Sequence, residues 1–358
     1  MKEHILVINP GSTSTKIAVF EGRKEVFGKT IYHTPQDLAP YPKISQQYEY
    51  RKETIFNELK NNNIQTGHFA VVIGRGGLVH PIASGTYRVN EQMLKHLAES
   101  ISGEHASNLG GLLAHSIASE IPGCQAFIAD PVVVDELQDV ARVTGIPQIE
   151  RVSIFHALNQ KAIAKRHASI TGKSYEDLNL IVAHLGGGIS VGAHRKGRII
   201  DVNNALNGDG PIAPERAGTI PALQLAELCY SGKYTFEEIK GMISGKGGVM
   251  AHLGSNSFME LNDKVQAGDP KATRLYQAMA YTISKQIGAT AVVLSGKIDA
   301  ILFTGGIAHN KRFIDLITEQ VGFLAPCFTY AGEDEMLALA NNAYNVLTGE
   351  EIAQVYTG

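Results

Sequence analysis

Short apolar runs separated by small polar residues dominate the chain, and the first two set the pattern. Ile5 to Ile8 and Ile17 to Phe20 are each long enough for a strand and too short for a helix that could stand alone. Between them lies Asn9 to Lys16, NPGSTSTK, in which one glycine is followed by small hydroxyl side chains. That spacing predicts a tight β-hairpin. Lys24 to Tyr32 reads as a third strand after a turn at Glu21 to Lys24. A Pro- and Tyr-containing stretch, Pro35 to Tyr50, then leads into a polar helix ending near Asn61 to Asn63. Phe69 to Ile73 is a buried-type strand running into Gly74-Arg75-Gly76-Gly77, and Ala126 to Ala129 is another, running into Asp130-Pro131. Helical segments at Glu91 to Ser100 and Gly110 to Glu120 alternate with these strands, the pattern of an α/β layered domain.

The second half repeats the first. Leu180 to Ile200, LIVAHLGGGISVGAHRKGRII, has the design of residues 5 to 24: apolar strand, glycine turn with a hydroxyl, apolar strand, basic turn. A duplicated domain, each copy opening with a hairpin, is the expectation. Before it, Phe155-His156-Ala157-Leu158-Asn159 leads into a helical run to about Ala168. After it, Asp201 to Pro221 is a long loop rich in Gly, Pro and Asn around Glu215-Arg216-Ala217-Gly218, and such loops are usually functional. Helices follow at Gln224 to Tyr230, Phe236 to Ile243 and Asp269 to Leu294, the last expected to break at Gly288. Strand Ala300 to Phe303 enters Thr304-Gly305-Gly306-Ile307-Ala308, a turn suited to close approach by a flat ligand such as a nucleoside. A final helix, Glu335 to Leu347, is expected to pack back toward the first domain.

Composition narrows the class. The chain has 358 residues, 44% hydrophobic and 19% charged, with a net charge of −3, which fits a globular protein of two domains. Near-neutral charge without a long basic run argues against a nucleic-acid surface and for a metabolite partner. The four-residue apolar run before Asn9 is too short for a signal-peptide core. No later stretch approaches a membrane span, since even Ile287 to Ile307 contains Lys297 and Asp299. Cys124, Cys229 and Cys327 are odd in number and lack metal-ligand spacing, so they read as reduced packing residues of a cytoplasmic protein.

The candidate chemistry gathers at the glycine turns. Backbone N–H groups and hydroxyls of NPGSTSTK can reach an anion, with Lys16 adding charge, and a phosphate chain is the natural ligand; an ordinary polar turn is the alternative. It is not a P-loop, because Lys16 is followed by a strand and not a helix. Arg75 and Asp130 fall at the carboxyl ends of strands, where open α/β sheets bind ligands. Flanking glycines are expected to leave the Arg75 guanidinium uncovered for a carboxylate or phosphate. Arg216 is a second candidate anion clamp.

Taken in order, these motifs resemble the acetate and butyrate kinases, in the superfamily that also holds sugar kinases, heat-shock chaperones and actin. The resemblance runs nearly end to end through NPGSTSTK, GRGG at Gly74, the Asp130 strand end, FHALNQ at Phe155, HLGGGIS at His184, PERAGT at Pro214, FTGGIAHN at Phe303 and EDEMLALA at Glu333. The turn with Pro10 and Thr15 is similar to butyrate kinases in particular, and Gln160 stands where acetate kinases carry a second His. The resemblance implies two actin-like, ribonuclease H-like domains related by duplication, with an inter-domain active-site cleft. The domains would span 1–150 and 151–334, with 335–358 on the first and the adenosine pocket and dimer interface on the second.

The implied activity is reversible, ATP-dependent phosphorylation of a short-chain carboxylate to its acyl phosphate. Asn9, Ser12 and Ser14 would contact the transferring phosphoryl group and its magnesium shell, with Lys16 holding the turn or the phosphates. Arg75 and Arg216 would grip the carboxylate and phosphoryl oxygens, and His156 and His184 would donate to that group in flight. Asp130 and Glu335 would hold Mg²⁺ largely through waters. Gly186 and Gly187 would face the nucleotide phosphates, and Gly305, Gly306, Ile307 and Asn310 would form the adenosine pocket for ATP or ADP. A carboxylate is already ionised at pH 7, so this chemistry needs positioning and charge stabilisation and no general base. Acetate or propionate kinase activity, and a nucleotide-driven conformational protein without a carboxylate substrate, are the rival readings.

Overall fold

A computed structural model describes residues 4–358; the first three residues of the short apolar start lie outside the described part. The strands are β1 (His4–Pro10), β2 (Ser14–Glu21), β3 (Lys24–Tyr32), β4 (Phe69–Arg75), β5 (Thr86–Arg88) and β6 (Gln125–Ala129). They continue as β7 (Asn179–Leu185), β8 (Ile189–Arg195), β9 (Arg198–Val202), β10 (Ala300–Gly305), β11 (Cys327–Ala331) and β12 (Gln354–Val355). The chain divides into two compact units, Met1–Val134 with Asp334–Gly358, and Asp135–Glu333. The division thus falls at Val134, ahead of residue 150.

Each unit is built on one sheet, in the order β12-β5-β6-β4-β1-β2-β3 in the first and β11-β10-β7-β8-β9 in the second. In both, an antiparallel meander (β1-β2-β3, β7-β8-β9) continues from its first strand into parallel neighbours (β4 and β6; β10 and β11). This is the mixed α/β, ribonuclease H-like arrangement expected. Strands buried on both faces need continuous apolar runs. Ile5 to Ile8 and Leu180 to Ala183 are accordingly fully buried.

Two expectations are corrected. Helix Pro270–Val293 runs unbroken through Gly288. A glycine inside a helix costs about 1 kcal/mol, and the buried flank of Ile283, Ile287, Thr290 and Ala291 offsets it. The glycines around Arg75 serve packing and not exposure of its guanidinium. A Cβ on Gly74 would stand 2.0 Å from the Gly110 carbonyl oxygen, and one on Gly110 would stand 2.1 Å from that of Arg75. Helix Asn108–Ser119 therefore lies backbone to backbone on β4 and fixes where that strand, and Arg75 at its end, can sit.

Candidate active site

In the first unit the β1–β2 hairpin pairs Asn9 with Lys16 and Pro10 with Thr15, leaving Gly11 to Thr13 as the turn. Its support comes from a residue the motifs did not reveal. Arg51, 1% exposed on helix Tyr48–Asn61, donates to the carbonyls of Gly11 (2.8 Å), Ser14 (3.0 Å) and Ser12 (3.1 Å) and to Thr15 Oγ1 (3.0 Å). The same guanidinium donates to Gln47 Oε1 at 3.1 and 2.8 Å. No carboxylate pairs with it among the described residues. Burial pulls Arg51 down to about 10, which leaves it charged at neutral pH. Because a peptide's C=O and the next N–H point in opposite directions, carbonyls drawn to Arg51 turn the N–H groups of Ser12 and Thr13 away from it. The turn is therefore a set of outward donors over a buried positive charge, the arrangement an anion requires.

Beside the turn, Asn9, Arg75 and Glu335 meet. Asn9 Nδ2 and Arg75 donate to Glu335 Oε2 at 2.6 and 3.1 Å, while Glu335 Oε1 takes no hydrogen bond among the described residues. Asp130 follows Ala129, the register partner of Arg75, and is 5% exposed. Its φ of 37° is a left-handed conformation that costs an Asp about 1–3 kcal/mol and is typical of functional positions. Its Oδ1 accepts from the Gly85 N–H at 2.7 Å. Lys16 is exposed and makes no ion pair among the described residues; Ser12 is exposed and Ser14 half-buried.

In the second unit, His184 is the next-to-last residue of β7 and His156 stands at the N-cap position of helix Ala157–Ile170. Their rings stack in parallel at 3.7 Å, 8° apart. His184 is buried with both nitrogens engaged, Nδ1 on Asn159 Oδ1 at 2.9 Å and Nε2 on Glu333 Oε1 at 3.1 Å. The sequence pattern gives Glu333 no role of its own, and the pairing of Gly305 with Gly332 is what carries it to β7. The Gly186–Gly188 turn receives the arginine loop, since the Glu215 N–H donates to the Gly187 carbonyl at 3.2 Å. Arg216 donates to Glu215 Oε2 at 3.1 Å, and its buried Nε–H has no acceptor among the described residues.

The nucleoside turn differs from expectation in two side chains. Asn310 caps helix Lys311–Val321 through Phe313 N and is tied to Tyr276 and Asn262, so its amide is committed to the fold. Ile307 belongs to the core. Gly306 remains as open backbone after β10, whereas Gly305 is buried, where a Cβ would stand 2.4 Å from the Leu185 carbonyl oxygen.

The acetokinase family matches residues 148–332 of the chain. Butyrate kinase 2 of Clostridium acetobutylicum is 54% identical over 356 residues, which cover 99% of this chain and 100% of that one. Butyrate kinase 1 of the same organism is 51% identical over 352 residues, covering 98% and 99%. Among solved structures, an acetate kinase from Porphyromonas gingivalis shares the fold with a TM-score of 0.81 at 19% identity, over 96% of this chain and all of that one (100%). With relatives of this identity spanning it from end to end, the chain belongs to the acetokinase family.

Proposed function

We propose that the protein transfers the terminal phosphoryl group of ATP to a short-chain carboxylate, reversibly and by direct in-line displacement, with butyrate or a branched four- or five-carbon acid preferred. Family membership makes it an ATP-using carboxylate kinase, and relatives named butyrate kinase along the whole chain support the acid. The single observation that carries the site assignment is the buried Arg216 Nε–H without an acceptor. An unsatisfied buried donor is costly, and an anionic oxygen of the substrate would satisfy it.

Both reactants are anions, so catalysis rests on offsetting their repulsion. The Ser12 and Thr13 N–H groups over Arg51 would hold phosphate oxygens, with Ser14 and Lys16 beside them. Arg75 and Arg216 would take carboxylate and phosphoryl oxygens. His156 would donate from Nε2 to the group in transfer, while His184, held between Asn159 and Glu333, would orient it by stacking. The backbone at Gly186 and Gly187 would face the phosphates, and Gly306 would face the nucleoside, with Gly305 packed behind it on β7.

Mg²⁺ keeps several waters and binds through one or two carboxylates plus substrate phosphates. Asp130 and the unengaged Glu335 Oε1 fit that need, and no cluster of three or more metal-type ligands occurs among the described residues. Magnesium bound there would neutralise phosphate charge during transfer. On the second unit Leu223, Tyr230 and Phe236 are exposed apolar side chains, which supports a homodimer through this unit. No helix among the described residues is long and apolar enough to cross a membrane, and the cysteines are free, as a cytoplasmic enzyme requires.

The test is acyl-phosphate formation, trapped as the hydroxamate, with Mg·ATP and acids from acetate through propionate, butyrate and isobutyrate to isovalerate. The expected maximum lies at four or five carbons. A maximum at acetate would overturn the acid preference, and silence across the panel with ATP still bound would overturn the carboxylate reading.

A further inference from the structure

We propose that Gln160 and His194 are positioning residues that lock His156 in the tautomer with its proton on Nε2, an inference that rests on the phosphoryl-transfer reading above. A buried chain of hydrogen bonds leads away from His156. Its Nδ1 lies 2.9 Å from Ser190 Oγ, and Gln160 Nε2 lies 2.8 Å from that hydroxyl and 3.2 Å from the Ser190 carbonyl. Gln160 Oε1 lies 3.0 Å from His194 Nε2, and His194 Nδ1 lies 2.7 Å from the Tyr175 hydroxyl. Ser190, Gln160 and His194 are fully buried.

Helix and strand periodicity assemble this chain. His156 and Gln160 are one turn apart on the same helix face, while Ser190, Gly192 and His194 alternate along one face of β8. The middle strand position is glycine, and a Cβ there would stand 2.4 Å from Gln160 Oε1 and push it off this position.

The polarity of the chain follows from one atom. The Ser190 carbonyl only accepts, so the Gln160 atom facing it is the NH₂ group and the Gln160 carbonyl faces His194. Burial, with the nearby Lys161 charge adding to it, holds His194 well below its ordinary value, so the ring is neutral and carries one N–H. That proton sits on Nε2, donating to Gln160, and Nδ1 accepts from Tyr175. At the other end, Ser190 Oγ accepts from Gln160, and because its side chain has no other partner among the described residues, its own proton goes to His156 Nδ1 rather than being left unsatisfied in the interior. His156 Nδ1 is thus an acceptor, which puts the ring proton on Nε2 as a donor to a phosphoryl oxygen. A flipped ring proton would present a lone pair to an anion.

The test reads the tautomer directly. The enzyme is prepared with ring-labelled histidine, the His156 signal is assigned by its loss in His156→Gln, and the ring carbon and nitrogen shifts report which nitrogen is protonated. The parent is expected to carry the proton on Nε2 near pH 8. In Gln160→Glu a carboxylate replaces the NH₂ donor, so Ser190 Oγ–H turns toward residue 160 and the His156 proton moves to Nδ1. Turnover is expected to fall about a hundredfold with KM for ATP changed less than about twofold, the pattern of a contact made mainly in transfer. If Gln160→Glu does not fold, Gln160→Met removes both polar ends and is expected to give a mixture of tautomers. An Nδ1 proton in the parent, or an unchanged tautomer in both variants, overturns the inference. Absence of carboxylate kinase activity in the parent would sink the reading it rests on and leave the tautomer measurement standing.

Discussion

The β1–β2 turn rests on a buried cation, whereas the matching β7–β8 turn rests on a stacked histidine pair, one ring of which is held by an amide and a carboxylate. Arg51 saturates its donors on carbonyls and has no carboxylate partner, so its field remains for whatever anion sits above. At the second turn His184 is held by Asn159 and Glu333, and His156 by Ser190. The same strand order thus supports two ways of meeting an anion. One is a fixed charge beneath the backbone. The other is a donor whose direction depends on where a ring proton sits. A buried unpaired cation is normally expensive. It is tolerated where carbonyls satisfy every donor and the ligand supplies the opposite charge.

The strongest way to break this comparison is Arg51→Met, which leaves the Gly11, Ser12 and Ser14 carbonyls without their donor. Urea unfolding is expected to show a loss of about 3–5 kcal/mol, with ATP affinity falling as well. A loss below about 1 kcal/mol would mean the turn supports itself. Arg216→Ala comes next. Turnover is expected to drop about 10²- to 10³-fold while the urea midpoint and ATP binding stay near the parent's. Parent-like turnover would remove Arg216 from its role.

A pair of glycine substitutions sharpens the contrast between the turns. A Cβ on Gly186 would lie 2.9 Å from His184 Nε2 and 3.3 Å from Glu333 Oε1, whereas one on Gly11 finds its nearest atom at 3.4 Å. Gly186→Ala is expected to cost about 1–3 kcal/mol in stability and to lower turnover, and Gly11→Ala to stay within about 0.5 kcal/mol. Equal effects would show that the turns are held alike.

The smallest effect is in pH. Burial, then the Arg51 charge, lowers His33 from 6.5 to about 4, where its Nε2 lies 2.9 Å from the Thr15 hydroxyl. Between these values the unfolded chain binds more protons than the folded one, so stability is full above about 6.5 and falls as pH drops toward 4. Urea midpoints measured from pH 7 to 4.5 are expected to decline, and His33→Gln to flatten part of that slope. A slope unchanged by the substitution would assign the loss to other groups.

The layered fold was readable because its parallel strands are uninterrupted apolar runs and its turns carry glycine. Helix Tyr48–Asn61 was readable as polar, but Arg51 was passed over. A signal did exist: Ile55 and Leu59 mark the buried face at four-residue spacing, and Arg51 falls on the same stripe. Gln160 stands out in FHALNQ and lies on the buried stripe with Ile163 and Ala164, but nothing in the sequence names its partners, and no such signal marks His194. β8 is buried on both faces down to its last residue, so alternation does not separate its polar positions from its apolar ones.

Local pattern decided the elements, their order and the residue types at the turns, because hydrophobic periodicity and backbone freedom act over a few neighbours. The partners of those residues were decided by the folded chain alone. Asn9 meets Glu335 across 326 positions, Arg51 meets Gly11 across 40, and His156 meets Ser190 across 34. Hydrogen bonds and buried charges depend on which groups share a few ångströms, and only strand pairing and helix packing bring such distant positions together.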